Sequence, residues 1–164
     1  MKRLILIRHA KSSWKQTHLS DFDRPLNKRG IRDAKFMSLQ LSKIINSVDA
    51  LFSSSSNRTK LTTNFFLEKI KIKNKNIFFL DDFYHSDLDH LFNSILSLND
   101  SYSSIIFVGH NPGFTNITNF LSGSSYYNVP TCGVIVIEFV VDKWSLITKK
   151  SGKLINKMFP KDYR

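Results

Sequence analysis

Short apolar runs alternate along this chain with segments in which apolar residues recur at helical spacing. Predominantly apolar runs of this length are typical of buried strands. We predict strands over 4–7, 48–52, 77–80, 104–108 and 134–141. A further strand is predicted over 144–148, because Asp142-Lys143 separates two apolar runs as a hairpin turn would. The basic tail after Gly152 is expected to be partly mobile.

Helices are predicted between these runs, over 27–46, 57–69, 87–98 and 114–121. Asn27 and Asp87 stand where N-caps belong. The first helix has an apolar face at helical spacing: Ile31, Ala34, Met37, Leu41, Ile44 and Ile45. Alternating strands and helices predict a three-layer α/β/α sandwich with a mostly parallel central sheet, and the final hairpin adds an antiparallel edge strand.

Composition places the chain among ordinary globular proteins. It has 164 residues, 41% of them hydrophobic, and we expect residues 1–164 to form a single domain. The net charge is +11, but Lys supplies 17 of the 24 basic residues. We interpret the charge chiefly as compositional bias, with a basic surface for an anionic partner as the alternative. The dense run over 69–75 is interpreted as a solvated loop.

The single cysteine, Cys132, excludes an intramolecular disulfide and a cysteine-based zinc site. A reducing compartment is consistent with this count. The apolar run over 4–7 is too short for a signal sequence or a membrane span, and no other segment is long enough either. We therefore expect a soluble cytoplasmic protein that does not enter a membrane.

Polar residues follow three of the predicted strands. Arg8 and His9 follow the first, the serines at 53–56 and Arg58 follow the second, and His110 follows the fourth. The carboxyl ends of parallel strands meet at one edge of a sheet, so these side chains should converge on an anion such as phosphate or sulfate. A lone histidine after a strand is more often structural. Two arginines and two histidines together are harder to explain as core residues, because burying cations without an anion is costly.

These segments resemble the histidine phosphatase superfamily, also called the phosphoglycerate mutase-like family. The run Leu6-Ile7-Arg8-His9-Ala10 resembles its RHG signature, with Ala in place of Gly. Residues 53–62 resemble its SSPxxRxxQT stretch, although Ser55 replaces the Pro and Leu61 replaces the Gln. Residues 108–113 resemble the second histidine motif. Segments 8–14, 21–30 and 84–86 narrow the resemblance to the short branch typified by the SixA phosphohistidine phosphatases.

The resemblance implies a phosphoglycerate mutase-like fold and a covalent mechanism. His9 would be the nucleophile that forms a phosphohistidine, and Arg8, Arg58 and His110 would hold the phosphoryl oxygens. Water would then hydrolyse the intermediate, without a metal or another cofactor, since the cationic groups supply the charge. A neutral His9 needs a fixed partner on one ring nitrogen, and we expect a backbone carbonyl in the loop after Ala10.

The general acid is not evident from the sequence. Many relatives place a Glu after the third strand, whereas residues 80–86 contain none, so Asp82 and His85 are the candidates. The alternative for Asp82 is a solvated loop position. Phosphohistidine has a reactive P–N bond and needs less acid assistance than an ester. A short chain also leaves little room for a lid, so an open pocket could accept a phosphohistidine on another protein.

Four more polar residues are candidates for binding substrate: Ser12, Lys15, Arg24 and Asn111. Arg24 could instead pair with Asp21 or Asp23, and Asn111 could instead cap the following helix. We interpret Trp14 as loop packing rather than substrate stacking.

Three functions follow from these residues. The leading one is a phosphohistidine phosphatase acting on a phosphorylated protein. A small-molecule phosphomonoesterase of the same superfamily would need Asp82 or His85 as its acid. A non-catalytic protein that binds anions or nucleic acid would use the +11 charge, and we favour this hypothesis least.

Overall fold

A six-stranded mixed sheet with helices on both faces forms the centre of the computed structural model, which describes residues 1–164. The strands are Lys2–Arg8 (β1), Ala50–Ser54 (β2), Ile77–Leu80 (β3), Ser104–Gly109 (β4), Val134–Phe139 (β5) and Lys153–Met158 (β6). The helices are Lys28–Ser42 (α1), Asn57–Leu67 (α2), Leu88–Leu96 (α3) and Gly113–Ser122 (α4). None of them is long and apolar enough to cross a membrane.

The strand order is β3-β2-β4-β1-β5-β6. The first four are mutually parallel, whereas β5 runs antiparallel to β1 and β6 antiparallel to β5. The carboxyl ends of β1, β2 and β4 therefore share one edge of the sheet. The prediction of a mostly parallel sheet with an antiparallel edge is confirmed.

Apolar residues fill both sides of the sheet, in two separate clusters of 18 buried residues. One cluster contains Met37 of α1 and Phe66 of α2. The other contains Leu91 of α3 and Ile117 of α4. The strands of the centre contribute to both clusters because alternate side chains point to opposite faces. The predicted three-layer arrangement is therefore confirmed.

The end of the chain differs from the prediction. Residues Trp144–Leu146 form a turn of 3-10 helix, so the strand predicted over 144–148 is wrong. Trp144 is buried, and its indole N–H donates to the carbonyl of Tyr102 at 2.9 Å. The tail expected to be mobile is β6, which pairs with β5. Its exposed lysines conceal the strand pattern, because an edge strand has little apolar burial to reveal it.

Other boundaries also differ from the prediction, and those of β2 and α1 change the picture most. Strand β2 begins at Ala50 rather than 48 and includes Ser53 and Ser54, so the serine run starts inside the sheet. Helix α1 ends at Ser42 rather than 46. Two residues assigned to its apolar face, Ile31 and Ile44, are exposed.

The start of α1 is packed directly against the loop that follows β1. The Asn27 side chain caps the helix by accepting from the N–H of Gly30, and the Asn27 N–H donates to the carbonyl of Lys11 at 3.0 Å. A Cβ on Gly30 would lie 2.1 Å from that same carbonyl oxygen. Only glycine permits this approach, and the approach sets the position of the loop immediately after His9.

Candidate active site

A cavity of about 300 Å³ opens at the sheet edge where β1, β2 and β4 end. It brings together the four residues that the strand-end argument singled out: Arg8, His9, Arg58 and His110. Arg8 is the last residue of β1, His9 and His110 directly follow β1 and β4, and Arg58 lies in the first turn of α2. Backbone hydrogen bonding reinforces this convergence, since the His9 N–H donates to the carbonyl of Gly109 at 3.0 Å.

His9 is held in one tautomer by its own loop. Its Nδ1 lies 2.7 Å from the backbone oxygen of Ala10, which can only accept, so Nδ1 carries the proton. The opposite nitrogen, Nε2, therefore has the free lone pair. The Ala10 N–H in turn donates to Oγ1 of Thr62 at 2.9 Å, which ties this turn to α2.

The His9 imidazole is neutral at ordinary pH. Burial lowers its pKa to about 3, helped by the charges of Arg58 and Arg8 and opposed by the bond to Ala10. Protonation would add another cation to a confined space that already holds the guanidinium groups of Arg8, Arg24 and Arg58. His9 thus keeps a lone pair available for reaction across the physiological range.

His110 faces His9, with ring centroids 5.1 Å apart. Its Nε2 lies 2.9 Å from Oγ of Ser54, and Nη2 of Arg58 approaches its Nδ1 at 3.5 Å. Because the guanidinium can only donate, Nδ1 is the acceptor and Nε2 carries the proton. Burial, followed by the charges of His9 and Arg58, lowers the pKa of His110 to about 2.

Arg8 and Arg58 are only partly satisfied by the protein. Nη1 of Arg8 donates to the carbonyl of Val129 at 2.9 Å, and Nη1 of Arg58 donates to the carbonyl of Asp21 at 2.6 Å. Nε of each arginine is buried without a partner, and Arg58 is only 6% exposed. Two charged donors in this condition favour an anionic ligand. No group of three or more His, Cys, Asp or Glu side chains is arranged to hold a metal ion.

Arg24 lines the same cavity, and each of its three nitrogen atoms donates to an oxygen of the protein. Its Nε and Nη2 donate to Oδ1 of Asp21 at 3.1 and 2.8 Å, and its Nη1 donates to Oγ of Ser12 at 2.6 Å. Of the two pairings left open by the sequence, the one with Asp21 forms. Asp23 accepts from Ser20 instead.

Asp21 and Tyr84 are two residues of the site that sequence reasoning did not select. The Asp21 carboxylate accepts from Arg24, Arg58 and the Tyr84 hydroxyl. Burial would raise the pKa of Asp21, but the bonds from Tyr84, Arg24 and Arg58 outweigh it and hold the pKa well below its usual range. Burial and the bond to Asp21 raise the pKa of Tyr84. Both lie in segments that carry the family resemblance, and that resemblance is the feature of the sequence that could have pointed to them.

Residues 4–103 match the family model for the histidine phosphatase superfamily, branch 1. The chain belongs to this superfamily. An uncharacterised chloroplastic protein of Arabidopsis thaliana is 31% identical over 159 residues, covering 92% of this chain and 72% of the relative. This histidine phosphatase therefore has a relative that matches it along nearly its whole length.

Solved structures place its fold beside that of SixA proteins. The protein histidine phosphatase SixA complexed with tungstate superposes with a TM-score of 0.83 at 16% identity, covering 99% of each chain. A protein of Agrobacterium tumefaciens provisionally assigned as phosphohistidine phosphatase SixA gives 0.80 at 23% identity, covering 96% of this chain and 97% of its own. The alpha-ribazole phosphatase of Shigella flexneri gives 0.68 at 16% identity, covering 96% of each. These likenesses establish the shared fold.

Several secondary expectations for this histidine phosphatase change with the structure. Asp82 does not line the cavity; its Oδ2 lies 3.2 Å from Nε2 of His90, on the first turn of α3. His85 does line the cavity and is exposed. Lys15 does not line the cavity, whereas Lys11 does. Both differences arise because side-chain direction within a loop depends on contacts that spacing does not reveal.

Three further residues named from the sequence all line the cavity: Ser12, Asn111 and Trp14. Ser12 lines the cavity, with its hydroxyl oxygen bound by Arg24. Asn111 also lines it and caps α4, because its Oδ1 accepts from the N–H of Thr115 at 3.1 Å. Trp14 contacts the Arg24 guanidinium within the same loop region, and it is 69% exposed at the cavity.

Proposed function

We propose that this histidine phosphatase removes phosphate from phosphohistidine in a protein, through a phosphorylated His9 and without a metal. Nε2 of His9 attacks phosphorus as the P–N bond to the substrate's imidazole breaks, and the leaving ring takes up a proton. Water then attacks the phosphorylated His9, releasing phosphate and restoring the neutral imidazole. Binding and chemistry both use the cavity formed by the ends of β1, β2 and β4.

The observation that carries this proposal is the state of His9. Its Nδ1 is committed to Ala10 at 2.7 Å, and its pKa is lowered to about 3. A nucleophile must present an unprotonated atom, and this arrangement leaves Nε2 unprotonated at all physiological pH values. Two guanidinium groups with unpartnered donors beside this histidine would not stabilise the fold, so a purely structural role does not account for them.

Arg8 and Arg58 would bind the transferring group. A phosphoryl group in transit spreads charge over three equatorial oxygens, and preorganised cations stabilise that charge. The buried Nε atoms of both arginines lack partners, and an anion would satisfy them. His110 is protonated only on Nε2, so it faces His9 as a neutral ring and adds no further positive charge to the site.

The surroundings favour a substrate with a good leaving group. Asp82 lies outside the cavity, with its Oδ2 3.2 Å from Nε2 of His90, and the pKa of Asp21 is far too low for a proton donor. The Tyr84 hydroxyl already donates to Asp21, and its pKa is raised. An alkoxide leaving from an ester needs a strong acid beside it, whereas the imidazole of phosphohistidine needs little help.

A small-molecule phosphomonoesterase is the second candidate. It is favoured by the shared fold of the alpha-ribazole phosphatase and by His85, the one candidate acid that reaches the cavity rim. Specificity constants for a phosphohistidine protein, compared with a panel of sugar phosphates and nucleotides, separate the two. A higher constant for any ester than for the phosphohistidine protein would contradict the primary proposal.

Trapping the intermediate tests the mechanism. Wild-type protein denatured in alkali during turnover of a radiolabelled phosphohistidine substrate should carry one base-stable, acid-labile phosphate. His9→Ala should carry none and should lose hydrolysis by at least about 10³-fold. His18→Ala is the matched control, because His18 is an exposed loop histidine outside the cavity. Full hydrolysis by His9→Ala would eliminate the covalent mechanism.

A further inference from the structure

We propose that Trp14, stacked on Arg24, forms a subsite for the aromatic leaving group of the substrate. This inference rests on the proposed function, because it assigns a place to the imidazole ring that departs when phosphate passes to His9. It concerns ring recognition at the mouth of the cavity, separate from the anion-binding groups at its base.

The arginines of the cavity differ in how many of their donors remain free to bind phosphate. Arg8 and Arg58 each retain a buried Nε without a partner. All three nitrogens of Arg24 donate to oxygen atoms of the protein, at distances of 2.6 to 3.1 Å. Arg24 is only 7% exposed, and its charge is balanced by Asp21. The flat face of the guanidinium takes no part in these bonds.

That face is covered by Trp14. The guanidinium carbon lies 3.5 Å from the centre of the indole ring, which is the distance of a stacked pair. Yet the Trp14 side chain is 69% exposed, so its other face is open to solvent. An indole left this exposed at a cavity mouth forgoes most of the free energy that burial would supply.

The indole is also held in place. Arg24 is anchored through Asp21 and Ser12, and the Ser13 N–H donates to the carbonyl of Pro25 at 2.8 Å. The loop that carries Trp14 is further packed on α1 at Gly30. A fixed, exposed aromatic plane lying on the same short loop as His9 is suited to receive a ring attached to the phosphoryl group.

The chemistry of the leaving group matches this plane. Imidazole is flat and aromatic, so it can stack on indole. When the P–N bond breaks, its electron pair stays on the ring nitrogen, which takes up a proton to give neutral imidazole. The stacking is therefore available both to the bound substrate and to the transition state, and it raises kcat/KM by holding the ring in place.

Two small P–N substrates separate ring recognition from phosphate chemistry. N-phosphoimidazole carries the aromatic leaving group, and phosphoramidate carries only ammonia. The quantity to measure is the ratio of their kcat/KM values in wild type and Trp14→Ala. We expect Trp14→Ala to lower the ratio about fivefold, the size of one aromatic contact, with phosphoramidate hydrolysis nearly unchanged. Trp14→Phe should restore most of the ratio, and Trp14→Leu should not.

Arg24→Lys supplies an independent variant, since it keeps the charge but removes the planar group beneath the indole. In this variant too, the kcat/KM for N-phosphoimidazole should fall relative to the kcat/KM for phosphoramidate. Tyr127→Ala is the matched control, because Tyr127 is a fully exposed aromatic outside the cavity, and its ratio should equal that of wild type.

The possible results are distinct. An unchanged ratio in Trp14→Ala, or equal losses on both substrates, would overturn the subsite while leaving the His9 mechanism intact. A loss seen only with a phosphorylated protein, and not with N-phosphoimidazole, would also overturn it, because it would assign Trp14 to protein docking. If wild type hydrolyses a phosphohistidine protein but neither small P–N compound, the subsite is overturned and the proposed function stands. If it hydrolyses none of the three, both fail.

Discussion

The protein has two strongly basic regions, and they differ in almost every physical respect. One is the cavity at the carboxyl edge of the sheet, whose arginines are buried or half-buried. The other is the lysine-rich segment 69–75 beside the amino ends of β2 and β3, whose four lysines are all exposed. The second lies next to the larger cavity, of about 650 Å³, which has no arginine or histidine in its lining.

The comparison shows that charge density and cavity size do not identify an active site. Exposed lysines are solvated and screened by salt, so their charges cost the fold little and attract anions weakly. Arg58 is desolvated, and its position depends on two bonds to Asp21. A buried cation of this kind stabilises a bound phosphoryl group far more strongly, because little water competes with it.

Replacing the central buried cation should give the largest effect. Arg58→Ala is expected to lower kcat/KM for a phosphohistidine substrate by about 10³-fold, because it removes a preorganised charge from the transferring group. Steady-state kinetics measures this. Lys60→Ala, an exposed cation on the same helix, should retain wild-type activity. A loss below tenfold in Arg58→Ala would mean that the buried region is no more effective than the exposed one.

The carboxylate that supports the buried cations should matter next. Asp21→Asn is expected to lower kcat about tenfold, because Arg58 and Arg24 lose their shared ionic partner. Asp23→Asn changes the same chemical group two residues away and should have little effect, since Asp23 bonds only to Ser20 among these side chains. Equal losses in the two variants would remove the positioning role of Asp21.

Desolvation of the cavity also predicts how its histidines titrate. The pKa values of His9 and His110 are lowered to about 3 and about 2, so their ring signals in NMR spectra should remain those of neutral imidazole from pH 7.5 down to 5. Unfolding exposes both rings, and the unfolded chain then binds protons near pH 6.5. The free energy of unfolding should therefore fall as pH drops below 6.5.

Denaturant unfolding at several pH values measures this slope. His110→Asn should make the slope shallower by removing one of the two groups. Protonation of either ring at pH 6 in the folded protein would show that the cavity is better solvated than its geometry implies.

The smallest effect is expected in the exposed basic region. Changing Lys69, Lys71, Lys73 and Lys75 together to Gln lowers the net charge from +11 to +7. Because these lysines are solvated and lie at the opposite edge of the sheet, kcat/KM should stay within twofold of wild type. Any nucleic-acid affinity should be weak and should vanish near physiological salt. A large loss of phosphatase activity would contradict the separation of the two regions.

The sequence was sufficient for the layered fold and for the four residues at the base of the cavity. Arg8, His9 and His110 follow or end strongly apolar strands, and parallel strands place their carboxyl ends together. Their convergence is therefore a consequence of local pattern and topology. The caps at Asn27 and Asp87 were likewise readable, because a cap depends only on residues within one turn.

Contacts between distant segments were decided by the tertiary structure alone. Strand β6 was missed because its pairing with β5 spans a long connection and its own pattern is polar. Arg24 could have paired with either neighbouring carboxylate, and the choice of Asp21 depends on Arg58 and Tyr84 reaching the same group from other segments of the chain. Asp82 lies outside the cavity, beside His90. Periodicity and motif spacing specify where the backbone carries each side chain, whereas its ion-pair partner depends on distances that exist only once the loops are packed.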